Sequence, residues 1–354
     1  APPRPFPFFN ASPALCGAGS ERKSVNAPVT SAQLAPDRSK FLGGSDAAAV
    51  MGLSPWATPV ELWQQKTGRV PKEEPDAVRQ RILDRGHKLE PFIREMVVTK
   101  LQDMGLQVEV LAINQRYQDA EHPFLACEID FELRLTGEIE IGGNVYQLDG
   151  EHINADAKSV TGFARKKWGE TDTEDVPIEY AAQFMHGLGV TGRGKCLVAA
   201  LRSFDDVDIF WTLRDDETIA AMREKAVRFW IDHVQGDTPP DPIDFSDIKL
   251  LFPSDNGLAT EATHEIAEKV AQLADIKSRI KEFEEAEEAL TFEIADFISP
   301  NALLTYEGKE IASWKGQGHT SFRAKDFAEA HPELANEFTK RQTVRVLRLK
   351  KGKK

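Results

Sequence analysis

Two carboxylates and a lysine between His122 and Val160 have the residue types of a hydrolytic centre. Asp156 and Lys158 are two residues apart, and the period of 2 in a strand places both side chains on one face. If pairing brings Asp130 beside Asp156, two hard oxygen ligands suited to magnesium face a lysine able to hold a water or hydroxide. A cross-strand salt bridge on a solvated sheet face explains an isolated D-x-K equally simply, and it is the more common case.

The strands that would carry these residues are predicted as a hairpin. Alternating and apolar runs indicate one strand from Phe124 to Leu135 and another from Gly150 to Ala157, with turn-rich segments between them. Glu128 lies two residues before Asp130, hence on the same face, and is a rival first metal ligand. The connection is long, so the sequence leaves the register open. Of the two acids, we expect Asp130 to be the ligand.

Two further polar residues fall on predicted helices. The apolar spacing from Asp76 to Met104 predicts a long helix, and Pro91 predicts a break or kink within it. Glu90 lies beside that break among apolar neighbours, where a carboxylate is either exposed or in need of a partner or metal. A later helix, predicted from Ile178 to Val190, carries Gln183.

A glycine pair near the start of the chain predicts a helix start suited to an anion. Gly43-Gly44 precedes Ser45, a predicted N-cap, and a short Ala-rich helix. A helix start presents free backbone N–H groups and a positive dipole end, which favours a phosphate. Arg38 could supply a guanidinium fork to the same anion, although an ordinary capped helix also accounts for the pattern.

Composition limits the classes of protein that the chain can be. With 354 residues, 41% hydrophobic and 29% charged, it resembles a globular protein large enough for two domains. The three cysteines, Cys16, Cys127 and Cys196, are too scattered for an iron–sulfur nuclease and fit a reducing compartment. No apolar run approaches the roughly 20 residues of a membrane helix. We therefore expect a cytoplasmic protein.

The charge is unevenly distributed along the chain. The net charge is −13, and residues 261–298 hold eleven acids against four bases. By contrast residues 341–354 hold seven bases and no acid, and Arg165, Lys166 and Lys167 form a second basic cluster. Local fields, more than the total charge, attract phosphates. These three residues are possible DNA contacts, although a solvated surface explains them as well.

The order of the polar residues matches one class of metal-dependent phosphodiesterase. The chain has, in order, a helix with Glu90, a strand with Asp130, a strand with Asp156-x-Lys158 and a helix with Gln183. PD-(D/E)XK nucleases have this order. In that arrangement carboxylates and a backbone carbonyl hold the metal while the lysine orients the nucleophile. The predicted fold class is therefore α/β, a restriction-endonuclease-like core with a mixed central sheet flanked by helices.

The predicted core is followed by a C-terminal extension made of a long helix and a small α+β element. The segments are 1–36, disordered; 37–236, the PD-(D/E)XK nuclease domain; 237–257, a Pro-rich linker; 258–298, a long acidic amphipathic helix; 299–340, a hairpin–helix accessory element; and 341–354, a basic tail.

Residues 38 to 215 also resemble the YqaJ-like viral recombinase family, relatives of phage lambda exonuclease, and the resemblance continues in the tail. The matching segments are Arg38 with Gly43-Gly44-Ser45-Asp46-Ala47-Ala48, Gly52-Leu53-Ser54-Pro55-Trp56, Thr58-Pro59-x-Glu61-Leu62-Trp63, Lys66-Thr67-Gly68, Gly86-His87-x-Leu89-Glu90-Pro91, Asp130, Asp156-x-Lys158-Ser159, Ala182-Gln183-x-x-His186, Val190-Thr191-Gly192, Ala312-Ser313-Trp314-Lys315, Thr320-Ser321-Phe322 and His331-Pro332-x-Leu334.

The resemblance implies a magnesium-dependent exonuclease that degrades one strand of linear duplex DNA from its 5′ end. The product is a 3′ overhang for a single-strand annealing partner, and relatives form ring-shaped trimers. Two ions per site are implied, with Mn²⁺ as a substitute. By position the implied roles are metal binding for Asp130, Asp156, the Ala157 carbonyl and Glu90, water activation for Lys158, support for Gln183, and 5′-phosphate binding for Arg38 and Ser45.

Two departures from the family pattern stand out. The second acid, often Glu in the family, is Asp156 here, and Phe131 follows the first acid where many members have Gly. Two other functions therefore stay open on the sequence alone. One is a PD-(D/E)XK endonuclease, and the other is a catalytically weak DNA-binding scaffold protein of a phage recombination system.

Overall fold

The computed structural model describes residues 28–29, 37–70, 76–160, 162, 164–203, 206–340 and 344–350. It divides into two compact units, Ala1–Leu251 and Phe252–Lys354. The predicted disordered segment, residues 1–36, lies outside the described residues except for Pro28 and Val29. The same is true of residues 341–343 and 351–354 of the predicted basic tail.

A mixed sheet organises the first unit. Its described strands follow the order β1-β2-β3-β4-β5-β6, with β4 and β5 parallel and the other neighbours antiparallel. The parallel step requires a crossover, and a helix supplies it. The strands are β1 Pro28–Val29, β2 Gln107–Gln118, β3 Ala126–Ile141, β4 Asn144–Ser159, β5 Lys195–Leu201 and β6 Asp208–Leu213.

Helices cover this sheet, so the expected α/β class with a mixed sheet flanked by helices is confirmed. The helices are α1 Gly44–Met51, α2 Pro59–Lys66, α3 Ala77–Asp103, α4 Ile178–Thr191, α5 Asp216–Arg228 and α6 Phe245–Leu251. Short 3-10 turns form at Arg38–Lys40 and Ala164–Lys167, and a π-helical stretch, Phe229–Gln235, extends α5.

The two helices nearest the candidate site pack against β5 through alternate residues of that strand. Leu197 and Ala199 belong to the apolar cluster that contains the buried face of α3. Val198 and Ala200 belong to the cluster that contains α4. Because successive strand residues point to opposite faces, α3 and α4 lie on opposite sides of the sheet.

Local sequence signals explain where several helices begin. Thr58 caps α2 by accepting the Glu61 N–H, Glu61 accepts the Thr58 N–H in return, and Pro59 is the first helical residue. At α1 the N-cap is Gly43 and not Ser45, because the Asp46 carboxylate accepts the Gly43 N–H at 2.8 Å.

Several elements differ from the sequence prediction. Strand β2 was not predicted, and β3 and β4 run past the predicted ends to a turn at Gly142 and Gly143. A bulge between Leu135 and Gly137 shifts the register of this longer hairpin by one residue. Helix α3 continues through Pro91 without the predicted break.

The first unit continues past residue 236, where the sequence placed the domain boundary. Helix α6 contacts α2, and Thr58 Oγ1 donates to Asp247 Oδ1 at 2.5 Å. The other oxygen of that buried carboxylate accepts the Ile243 N–H. These bonds fasten part of the Pro-rich segment to the first unit.

The second unit is dominated by one helix. Its elements are α7 His264–Ile298, β7 Leu303–Tyr306, β8 Lys309–Ser313, α8 Ala324–Ala330 and α9 Pro332–Glu337. Thr263 caps α7 by accepting the Ile266 N–H. The C-terminal extension of a long helix and a small α+β element is thus present. Across the described ranges, no helix is both long and apolar enough to span a bilayer.

Candidate active site

The β3–β4 hairpin brings the two predicted acidic residues together. Phe131 pairs with Ala155, so continuing the register by one residue places Asp130 opposite Asp156. The Ala157 N–H donates to Asp130 Oδ2 at 2.9 Å, which ties the first carboxylate to the backbone of the second strand. Ala157 therefore lies between the two acids, where its carbonyl was predicted to serve as a ligand.

Lys158 forms an ion pair with the second acid. Its Nζ lies 2.5 Å from Asp156 Oδ1, and the rings of Tyr180 and Phe184 have their centroids 5.4 and 5.6 Å from that Nζ. A cation over aromatic faces is stabilised by their quadrupoles. Gln183, on the same helix, donates its Nε2 to Asp156 Oδ2 at 3.1 Å. Helix α4 thus orients the carboxylate and the lysine at once.

The site carries an excess of carboxylates over cations. Burial, followed by the charges of Asp130 and Glu90, raises the pKa of Asp156 although Lys158 opposes the rise. Burial disfavours the charged form of Lys158, but Asp156 and Asp130 outweigh it and raise the lysine pKa. The surplus negative charge is what a bound cation would neutralise.

Glu90 approaches this centre from α3. Burial and then the Asp130 charge raise the pKa of Glu90, which is half-buried. Three other residues on the same face of α3 line one cavity together with Glu90. They are Leu83, His87 and Arg94, and the four are spaced three or four residues apart.

Arg38 and Ser45 meet at the N-terminus of α1. The Arg38 Nη2 donates to Ser45 Oγ at 2.6 Å, and the Asp46 carboxylate lies 3.9 Å from the same nitrogen. Lys66 of α2 holds the backbone at Arg38 and the carboxylate of Asp46 in place. Its buried ammonium donates at 2.7 Å to the Arg38 carbonyl, the Phe41 carbonyl and Asp46 Oδ2.

A single cavity of about 830 Å³ joins these parts. It is large enough for a nucleotide-sized ligand. Its lining includes Arg38, Ser45, Glu90, Asp130, Asp156, Lys158 and Gln183, that is, each predicted site residue whose side chain was assigned a role in catalysis or 5′-phosphate binding.

Other predicted site residues lie elsewhere or have partners of their own. Arg165, Lys166 and Lys167 are exposed on a 3-10 turn and do not line the cavity; Lys167 forms an ion pair with Glu179 at 3.4 Å. Glu128, the rival ligand, does line it but accepts a bond from Arg116 on β2 at 3.0 Å. Of the two candidate ligands Glu128 and Asp130, Asp130 is the one bonded to β4.

The donor set suits a hard cation. In the described part of the chain, no three His, Cys, Asp or Glu side chains are already close enough to chelate a metal. Magnesium, however, is held by one or two carboxylates with waters and substrate phosphate completing the shell. Asp156 Oδ1 is buried and paired with Lys158 Nζ at 2.5 Å, and a carboxylate oxygen has a further lone pair that a cation in the cavity could use. The oxygens of Asp130, Asp156, Glu90 and the Ala157 carbonyl therefore fit such an ion.

Three residues that support the site, Lys66, Tyr180 and Phe184, were not predicted from the sequence. Lys66 was recognised only as part of a motif, and its bonds to Asp46 and Arg38 span 20 and 28 residues of sequence. Tyr180 and Phe184 were not assigned to the lysine, although their spacing on the Gln183 helix was a usable signal.

Comparisons with known proteins show which sequences this chain resembles. Residues 35–194 match the model of the YqaJ-like viral recombinase domain. The uncharacterized protein YqaJ of Bacillus subtilis (strain 168) is 25% identical over 323 residues, which cover 89% of this chain and 92% of YqaJ.

Two solved structures show a weaker likeness. An alkaline exonuclease from Laribacter hongkongensis is 17% identical with a TM-score of 0.40, over 59% of this chain and 94% of that one. The same exonuclease in complex with dAMP is 20% identical with a TM-score of 0.38, over 56% and 90%. On the sequence match, residues 35–194 of this chain are similar to the YqaJ-like viral recombinase domain.

Proposed function

We propose that this chain is a divalent-metal-dependent exonuclease that degrades one strand of linear duplex DNA from its 5′ end, leaving a 3′ single-stranded overhang for recombination. The observation that carries the proposal is the single cavity that joins Arg38 and Ser45 to the cluster of Asp130, Asp156 and Lys158. A phosphate recognised at one end of this cavity places a neighbouring phosphodiester near the other end. This arrangement favours cleavage close to a strand terminus.

The phosphate end of the cavity has the chemistry for a terminal phosphate. The N-terminus of α1 offers unpaired backbone N–H groups, and Arg38 can form two parallel bonds to a phosphate. The Ser45 hydroxyl, now bonded to Arg38, can donate to the same anion. Lys66 fixes the backbone on which Arg38 stands.

The cleavage end divides its work among side chains already in contact. Gln183 and Lys158 hold the two oxygens of Asp156, and the Ala157 N–H holds Asp130. Lys158 is suited to orient a water or hydroxide for attack on the phosphorus. A bound Mg²⁺, or Mn²⁺ in its place, would polarise the phosphoryl oxygens and lower the pKa of a bound water. The ligands would be Asp130, Asp156, the Ala157 carbonyl and Glu90.

The proposal extends to the partners that the family resemblance implied. The substrate is the end of a DNA duplex, and the proposed partner is a single-strand annealing protein. Copies of this chain are proposed to assemble into a ring-shaped oligomer. Arg165, Lys166 and Lys167 are exposed, which suits contact with the DNA backbone outside the cavity.

The experiment is digestion of 5′-phosphorylated linear duplex with Mg²⁺, followed as release of acid-soluble nucleotide. We expect wild type to digest the DNA, EDTA to stop digestion, and Lys158→Ala to lower the rate by at least about a hundredfold. Lys249→Ala, which removes an exposed lysine outside the cavity, is the matched control and should keep the wild-type rate.

Closed circular DNA in the same assay separates the rival functions. Nicking of the circle would favour an endonuclease. Salt-sensitive DNA binding without digestion of any substrate would favour a scaffold protein. Equal digestion by wild type and Lys158→Ala would refute the assignment of the site.

A further inference from the structure

Helix α7 carries a seven-residue apolar repeat along most of its length. Ile266, Leu273, Ile280 and Ile294 recur at one heptad position, a, where the remaining member is Glu287. Three residues after each of these, at position d, the chain has the series Lys269, Ile276, Phe283, Leu290 and Phe297. A repeat of 3.5 residues per turn is the pattern of a helix that supercoils with a similar helix. A helix lying on a globular surface shows a 3.6-residue period and a wider stripe.

The apolar members of this repeat are largely exposed in the described structure. Ile276, Ile280 and Phe283 are exposed by 51%, 50% and 68%, and Phe297 by 77%. We call the apolar members together the heptad face; they are Ile266, Leu273, Ile276, Ile280, Phe283, Leu290, Ile294 and Phe297. Exposed apolar area of this extent in a soluble helix marks an interaction surface.

The two charged members of the repeat determine which orientation of a second helix fits. In a parallel pair of identical helices, each a or d residue faces its own copy, so Glu287 would face Glu287 and Lys269 would face Lys269. Like charges buried against each other are unfavourable. In an antiparallel pair of α7 helices centred between Lys281 and Glu282, each residue at position a faces a residue at position d of the other helix. Glu287 then faces Ile276 and Lys269 faces Ile294, and no charged layer meets its like.

The remaining layers of the antiparallel pair are apolar on both sides. Ile266 faces Phe297, Leu273 faces Leu290, and Ile280 faces Phe283, each twice because of the twofold axis. Lys277 and Glu284 lie at heptad position e, four residues after position a, at the edge of the apolar layers. In the same register Lys277 of each helix lies beside Glu284 of the other, so their charges are complementary.

We propose that the heptad face of α7 binds the α7 helix of a second copy of this chain in an antiparallel, twofold-symmetric coiled coil. The occupant is a second copy because the repeat, the apolar layers and the Lys277–Glu284 pairing are all satisfied by the same sequence in reverse. This contact is independent of the nuclease activity. It joins two chains through their C-terminal units and leaves the cavity of the first unit to act separately.

Cysteine cross-linking of the full chain tests the orientation. Leu273→Cys and Leu290→Cys are made separately in a Cys16→Ser background, since the buried Cys127 and Cys196 stay shielded under native conditions. One of the two proteins carries a size tag, and mixtures are oxidised mildly. We expect a disulfide-linked dimer from the mixture and none from either variant alone. Ser278→Cys, which lies on the outward face of the helix, is the matched control and should not cross-link.

A charge exchange supplies a second readout that does not depend on disulfides. Glu284→Lys places two lysines side by side and should weaken self-association by roughly tenfold in sedimentation. Adding Lys277→Glu to that variant should restore the wild-type value, because the pair is re-formed with its signs exchanged. Circular dichroism confirms that each variant keeps its helix content.

Three outcomes would overturn the proposal. Self-linking of Leu273→Cys would show a parallel pair. The absence of a linked dimer from the mixture, with helix content retained, would show that a second α7 does not occupy the face. Failure of Lys277→Glu to rescue Glu284→Lys would show that these two residues are not paired.

Discussion

Gly44, the first residue of α1, lies so close to Gln183 of α4 that a Cβ on Gly44 would come within 3.2 Å of the Gln183 Cγ. Gln183 in turn donates to Asp156, so the helix start proposed to hold the 5′ phosphate touches the side chain that orients the proposed cleavage centre. Because Gly44 has no side chain, the start of α1 can pack closely against Gln183 of α4.

Enlarging Gly44 should move Gln183 off Asp156. We expect Gly44→Val to lower the digestion rate by at least about tenfold, since loss of one orienting hydrogen bond costs about 1.5 kcal/mol. Gly86→Val is the matched control, because a Cβ at Gly86 meets nothing within 4 Å. Thermal unfolding should show that both variants are folded at the assay temperature, so that a difference in rate reports on the site. Equal rates for both would contradict the structural link.

Lys66 should act through the position of Arg38. Its side chain is 4% exposed and satisfies two carbonyls and one carboxylate. Lys66→Met leaves the Asp46 carboxylate without that ammonium, and breaking a buried ion pair costs about 3 kcal/mol in unfolding free energy. We expect both lower stability in urea and a weaker preference for 5′-phosphorylated ends.

The exposed neighbour Lys40 provides the control for that variant. Lys40→Met should leave both stability and end preference unchanged. If Lys66→Met loses stability but keeps full preference for phosphorylated ends at a temperature where it is folded, Lys66 has no positioning role.

A buried network that includes Glu132 of the β3–β4 hairpin should make stability depend on acid pH. Burial raises the pKa of Glu132, but hydrogen bonds from His152, Tyr117 and Arg193 outweigh it and lower that pKa to about 2. Because the folded pKa lies below the unfolded value, this stabilisation is complete above about pH 4.5. It is lost as pH falls from about 4.5 towards 2.

Urea unfolding between pH 7 and pH 3 measures this effect. The difference in unfolding free energy between wild type and Glu132→Gln should shrink by about 1 to 3 kcal/mol as the pH falls through that window. Glu138→Gln, an exposed change on the same strand, should show a difference near zero that does not depend on pH. A wild-type to Glu132→Gln difference that stays constant with pH would contradict the network's role.

The sequence predicted the parts of this molecule that depend on local rules. The apolar spacing from Asp76 to Met104 predicted α3, and the period of 2 placed Asp156 and Lys158 on one face. It could not supply the register of the hairpin, because a bulge near Gly137 shifts it. It also could not reveal Lys66, whose partners are distant in sequence and become neighbours only through packing.

The network around Arg193 was hidden from the sequence for the same reason. Arg193 lies at the end of α4, yet it donates to Asn154, Tyr117 and Glu132, which belong to three different strands. No spacing rule connects these residues. Only the strand order brings the four together, and burial then makes their pairing obligatory.

Substitutions at Asp130 and Glu128 distinguish which of the two residues is the first metal ligand. Asp130 is bonded to the backbone of Ala157, whereas Glu128 is paired with Arg116. We expect Asp130→Asn to abolish digestion and to weaken Mg²⁺ binding in calorimetry. Glu128→Gln should stay within about fivefold of wild type, because a surface ion pair contributes at most about 1 kcal/mol. The reverse ranking would assign the ligand to Glu128.

The most direct test of the central claim, that one cavity couples a terminal phosphate to cleavage, compares 5′-phosphorylated and 5′-hydroxyl linear duplexes with wild type and Arg38→Ala. The account predicts that wild type digests the phosphorylated duplex at least about tenfold faster, since charge-assisted bonds to phosphate contribute about 1.5 kcal/mol or more. Arg38→Ala should digest both slowly and at similar rates. Equal rates for the two duplexes with wild type, or a preference that survives in Arg38→Ala, would contradict the account.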